Sequence, residues 1–258
     1  MDYNFHTHTY LCHHAEGDME EYVKRAISGG VKYMGFSEHF PLVLSNGKQS
    51  PFRMYVEDVS LYRQTVDELK EKYKGKIQLY LGFEMEYYPG NFSRMLENTK
   101  AYGAEYLIMG EHFYCPEDTP DIYHASVKTE DEERLRAYTA AVVEGIAQEI
   151  FTYVAHPDVL HFVGNEALYQ SEFRKICQAA KVHKTPLEIN FLGIRTGRYY
   201  PNEKLLQIMG EEGAPVTFGF DAHDAQSAYD GASLEVALSL VKKYHLHYIG
   251  KPPLRFLQ

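Results

Sequence analysis

Seven histidines and two acidic residues carry the chemistry that this sequence can do. His6, His8, His14, His39, Glu84, His112, His156, Asp221 and His223 recur at intervals along the whole chain. Alternate residues of a strand point to one face, so His6 and His8 would present two imidazoles side by side. Neutral imidazole and carboxylate are ligands for zinc, iron or manganese. Nine such donors exceed the needs of one tetrahedral zinc and suit two or three divalent ions with open positions. The three cysteines, Cys12, Cys115 and Cys177, form no CxxC pair, so any metal must be held by nitrogen and oxygen.

Taken singly, each of these residues has a plain structural reading. A His-x-His pair arises by chance, Glu84 could pair with a lysine, and Asp221 could cap a helix. What argues for a site is the position they share. Short apolar runs alternate with stretches of helical spacing, the pattern of an α/β fold with a parallel sheet. The runs predict strands over Tyr3 to Thr9, Tyr33 to Glu38, Ile77 to Glu86, Tyr106 to His112, Phe151 to His156, Leu187 to Asn190 and Val216 to Asp221, with an eighth candidate over Leu246 to Ile249. Helices are predicted over Asp18 to Ile27, Val56 to Tyr73, Phe92 to Tyr102, Glu130 to Glu149, Ser171 to His183, Glu203 to Glu211 and Ala232 to Tyr244.

Each group of chemical residues falls at or just beyond the C-terminal end of a strand. In a barrel of parallel strands those ends converge on one rim, which gathers residues far apart in sequence. Two long irregular stretches, Pro41 to Arg53 and Phe113 to Thr129, are expected as loops over that rim. Burying so many imidazoles without a cation would leave many polar groups unsatisfied.

A length of 258 residues is compatible with one barrel domain spanning residues 1–258, and 45% hydrophobic residues can supply its core. The net charge of −10 gives none of the basic footprint that nucleic acid or anionic lipid requires. Neither a signal-like N-terminus nor a long apolar run is present, so a cytoplasmic protein is expected. Nothing in the sequence indicates an oligomeric state.

The segments HTHTYLCHH at residues 6–14, SEH at 37–39, EH at 111–112, HP at 156–157 and DAH at 221–223, together with Glu84, resemble the polymerase-and-histidinol-phosphatase (PHP) family across the whole chain. That resemblance implies a distorted seven-stranded (β/α)7 barrel with a trinuclear centre at the C-terminal rim. One metal would take His6, His8, Glu84 and Asp221, a second Glu84, His112 and His156, and a third His14, His39 and His223. Glu84 would then bridge two ions, and Glu84, His156 and Asp221 would be the catalytic core.

Cys12, the length and the EHFPL segment look like the small monofunctional histidinol-phosphate phosphatases of histidine biosynthesis. By that narrower resemblance, arginines clamp the substrate phosphate, and FLGIRTGRYYP at 191–201 offers Arg195 and Arg198. Such enzymes tend to place another arginine shortly after the strand-five histidine, where this chain has His161. His161 is therefore the third candidate for substrate contact, whereas His13, His124, His183, His245 and His247 are read as structural or solvent-facing.

A hydroxide held between two divalent ions about 3.5 to 4 Å apart is the expected nucleophile on phosphorus. Three ions against two carboxylates leave about four positive charges, enough to draw a phosphate dianion into an acidic protein. The expected activity is thus phosphomonoester hydrolysis of a small phosphorylated metabolite, with L-histidinol phosphate leading. The same centre could serve a phosphodiester, a nucleotide 3′-end or phosphotyrosine, or survive in a non-catalytic metal-binding module.

Overall fold

The computed structural model describes residues 1–257. Its strands are β1 (Tyr3–Asn4), β2 (Tyr33–His39), β3 (Gln78–Met85), β4 (Tyr106–Met109), β5 (Leu187–Asn190), β6 (Pro215–Gly219) and β7 (His247–Tyr248). β1 to β4 form one parallel sheet and β5 to β7 another. Val154 joins the two by bridging Met109 on one side and Leu187 on the other, and Thr7 closes the ring against Ala222. Seven staves therefore curl into a distorted α/β barrel, with β7 paired to the start of β6.

Two of these staves are less regular than their sequences predict. The first is ladder-like only at Tyr3–Asn4, because the Asn4 side chain takes over local hydrogen bonds, accepting from His6 N at 3.0 Å and donating to Thr7 Oγ1 at 2.7 Å. Phe151 to His156 was likewise expected as a strand, but only Val154 makes bridges on both sides. The run ends where Pro157, with no N–H to donate, follows His156 at φ 26°.

The helices pack outside the sheet: α1 (Met19–Ser28), α2 (Val59–Lys72), α3 (Phe92–Ala101), α4 (Glu132–Ala147), α5 (Glu166–Val182), α6 (Phe191–Thr196), α7 (Glu203–Glu212) and α8 (Gly231–Lys243). Asp18 and Glu21 cap α1 reciprocally, as their spacing predicts. α5 begins five residues before the expected Ser171, because Asn165 accepts from Leu168 N and starts the helix there. At the N-terminal end the barrel is plugged by Tyr3, Phe5, Tyr80, Tyr106, Ile108, Tyr153 and Ala155. Among the described residues no helix is long and apolar enough to cross a membrane.

Candidate metal centre

The parallel register brings the first two donors together. Because Tyr33 pairs with Gln78, His39 at the end of β2 lies directly opposite Glu84 on β3. His39 Nδ1 then stands 3.3 Å from Glu84 Oε2, and His6 Nε2 and His8 Nε2 approach the same oxygen at 3.5 and 3.3 Å. Asp221 Oδ1 faces His6 Nε2 at 3.6 Å and His8 Nε2 at 3.4 Å. On the other side of Glu84, Oε1 meets His156 Nε2 at 2.8 Å and His112 Nε2 at 3.6 Å. The His223 ring stacks on His8 with centroids 4.2 Å apart and on His14 at 5.1 Å. All nine residues singled out for metal binding thus meet at one rim.

The separations have a physical meaning. Two donors about 2.0–2.1 Å from one tetrahedral ion stand about 3.3–3.4 Å apart, which is the spacing seen around Glu84 and Asp221. His6 Nε2, His8 Nε2, His39 Nδ1, both Glu84 oxygens and Asp221 Oδ1 face one another, buried and without a hydrogen-bond partner. Orphaned polar atoms carry a penalty of about 1–3 kcal/mol each, so their convergence calls for a cation. The surrounding charges act in the same sense: burial opposes protonation of His6, but Glu188, Asp221 and Glu84 outweigh it and raise the imidazole to about 10. The donor set therefore fits divalent ions held through nitrogen and oxygen. The buried Cys12 thiol, expected to stand apart from any metal, nevertheless lies close enough to His14 and His223 to be a further candidate donor.

Local backbone serves the site. His156 and Asp221 both have positive φ, 26° and 47°, a conformation unfavourable for either residue and found where a side chain must be aimed. Gly110 and Gly219 are required by space: a Cβ at Gly110 would lie 1.9 Å from Glu84 Oε1, and one at Gly219 1.6 Å from Glu188 Oε1.

Around the donors lies a layer of buried carboxylates that the sequence reading did not assign. Glu188 Oε1 contacts His6 Nδ1 at 2.8 Å, Glu86 Oε1 contacts His112 Nδ1 at 3.1 Å, and Glu38 Oε1 contacts His8 Nδ1 at 3.4 Å. Each leaves Nε2 of its histidine facing the centre, the arrangement that fixes a ligand's tautomer and orientation. Asn190 Nδ2 donates to both Glu188 Oε2 and Asp221 Oδ2, at 2.8 and 3.0 Å. The sequence signal was available, since an acid inside the apolar run Leu187-Glu-Ile-Asn has no packing reason to be there. Counting these three carboxylates and the buried Arg53 lowers the expected excess from about four positive charges to about two.

The donors floor a cleft of about 270 Å³, walled by Phe52, His124, Ser126, Val159, Leu192, Arg198 and Tyr200. Of the three residues predicted to touch substrate, Arg198 lines this cleft, donating to Tyr200 Oη at 2.8 Å. Arg195 instead donates to the carbonyl oxygens of Phe220 and Asp221, both at 2.5 Å, and so braces the turn that carries Asp221. His161 lies flat on Tyr199, with centroids 3.8 Å apart. His124, read as structural or solvent-facing, is in the wall, and its burial beside His112 and His156 keeps its imidazole down at about 3. It was missed because it belongs to a loop with no periodicity.

Comparison with known proteins follows the same lines. A probable histidinol-phosphatase of Deinococcus radiodurans is 26% identical over 84% of this chain and 85% of its own length. The histidinol-phosphatase of Bacillus subtilis is 24% identical over 85% of this chain and 92% of its own. The fold superposes with a TM-score of 0.72 on the crystal structure of histidinol phosphate phosphatase from Lactococcus lactis complexed with zinc, L-histidinol and phosphate, at 22% identity and covering 100% and 99% of the two chains. The PHP domain model matches residues 4–191, which hold seven of the nine converging donors on the first six staves, and on that match the chain belongs to the PHP domain family.

Proposed function

We propose that this protein is a metal-dependent phosphomonoesterase that hydrolyses L-histidinol phosphate to L-histidinol and phosphate. The observation that carries the reading is the set of orphaned nitrogen and oxygen atoms, spaced as ligands of shared ions, beneath a small cleft with an arginine in its wall. His6, His8, Glu84 and Asp221 would hold one ion, Glu84, His112 and His156 a second, and His14, His39 and His223 a third. When bound, such ions act as Lewis acids and lower the pKa of coordinated water towards neutrality.

The chain's own groups do the rest. Glu84 and Asp221 supply the negative charge that retains the cations, and Glu38, Glu86 and Glu188 fix the rings of His8, His112 and His6. Arg198, in the cleft wall, would donate charge-assisted hydrogen bonds to phosphate oxygens. Arg195, through the carbonyls it holds, positions Asp221. The cleft volume suits a small monoester better than a polymer, and the aromatic wall of Phe52 and His124 suits a flat leaving group.

The substrate assignment draws on the names of the relatives and on the ligands of the Lactococcus structure. Phosphate release from L-histidinol phosphate, measured beside phosphotyrosine, a nucleotide 3′-monophosphate and a diester, tests it. A clear preference in kcat/KM for L-histidinol phosphate is expected. Equal slow turnover of all four would reject the substrate while keeping the metal centre.

A further inference from the structure

Arg53 is fully buried and enters the metal centre's charge balance but touches none of the nine donors. It ends the first long loop, residues 41–53, and is held on three sides. Its Nη1 donates to Glu86 Oε2 at 2.6 Å, its Nε to Glu117 Oε1 at 2.6 Å, and its Nη2 to Tyr88 Oη at 3.2 Å. The other oxygen of Glu86 is the one that contacts His112 Nδ1 at 3.1 Å. Glu117 belongs to the second long loop, residues 113–129. Its neighbour Asp118 accepts from Ser45 N at 2.8 Å and Asn46 N at 3.3 Å at the tip of the first loop. The two loops are therefore fastened to each other at a buried root and an exposed tip.

Residues beside these fastenings form the roof of the cleft. Phe52, adjacent to Arg53, lies with its ring centroid 5.2, 4.5 and 5.1 Å from those of His14, His39 and His112. His124 of the second loop packs against Phe52 at 5.2 Å. A planar fork with five donors on three nitrogens can hold two carboxylates and a hydroxyl that lie apart, whereas a lysine offers its three donors from a single nitrogen.

We propose that Arg53 is a positioning residue that joins loops 41–53 and 113–129 into one cover and, through Glu86, sets the ring of His112 for metal binding. The cover then orders and loosens as a unit, and its order is coupled to occupancy at His112. The metal half of this proposal rests on the reading of the rim as a metal centre; the loop half does not.

The test uses the full-length protein with zinc, comparing wild type with Arg53→Lys and Glu117→Gln. Peptide-resolved hydrogen exchange in Glu117→Gln should quicken in both loops together by about tenfold, the scale of one lost charge-assisted contact, with β2 to β4 unchanged. In Arg53→Lys, competition titration should show zinc bound about tenfold more weakly, and raising zinc should restore kcat because His112 is still present. A purely structural role would lower kcat without moving its zinc dependence. Faster exchange in one loop only, or in neither, overturns the joint cover, and zinc affinity within about twofold of wild type overturns the coupling to His112. Should Arg53→Lys fail to fold, Glu117→Gln keeps the Arg53–Glu86 pair and still decides the loop half. Wild-type protein that binds no zinc would refute the metal centre and leave the exchange result intact.

Discussion

The two ends of the barrel are built from the same strands by opposite rules. At the N-terminal end, Tyr3 Oη meets Thr217 Oγ1 at 2.9 Å and Tyr106 Oη donates to the carbonyls of Phe5 and Phe36 at 3.0 and 3.2 Å, while Tyr153 Oη is buried without a partner. Glycines there make way for a ring, since a Cβ at Gly35 or Gly82 would lie 2.1 or 2.3 Å from Tyr106. At the C-terminal end, Gly110 and Gly219 make way for carboxylates, two donor residues have positive φ, and six atoms that face the centre are left without partners. One end lowers the free energy of the fold by close packing; the other is completed only by a bound cation. A rim so incomplete persists because the plugged end and the surrounding helices hold it.

That contrast can be broken from either end. The largest effect is expected from Asp221→Ala, which should lower turnover by roughly 10³-fold while leaving the melting temperature near that of wild type under chelation; a substantial loss of apo stability would mean that Asp221 is a packing residue. Tyr106→Ala should do the reverse, destabilising the fold by about 3–5 kcal/mol in denaturant titration while the folded fraction binds metal normally. Glu188→Gln should weaken metal binding about 10–100-fold, measured by chelator competition, with little change in stability. Gly110→Ala would force Glu84 aside and should impair metal binding more than folding, a split readable from the same two assays. The smallest effect is expected from Arg198→Ala, which should raise KM about tenfold with kcat nearly unchanged. An unchanged KM would remove Arg198 from the phosphate site.

How much of this was legible beforehand differs between the same two ends. The rim was readable because metal ligands are rare residue types at fixed places: His6-x-His8, Glu84 and Asp221-x-His223 each sit at the end of an apolar run. The parallel sheet followed from alternation of such runs with helical periods, and its closure into a distorted barrel from the resemblance to the PHP family. The plug was not readable, since Tyr and Phe in strands look alike whether they face inward or towards the helices. Glu38 and Glu86 were hidden by their role, which is defined by a histidine on another strand, whereas Glu188 left a signal as an acid within the run Leu187 to Asn190. Arg53 and His124 lie in loops, where no period signals burial. Of the two arginines, the sequence favoured Arg195 as the clamp over Arg198, and only the turn after α6 shows that Arg198 reaches the cleft while Arg195 braces Asp221.

The measurement that bears most directly on the central claim is the number of metal ions bound per chain, determined by elemental analysis after dialysis of the native protein and of His8→Ala. Two to three divalent ions per native chain, with fewer in His8→Ala, is the predicted result. A native chain that retains no metal at micromolar zinc, or that binds it equally well without His8, would contradict the account.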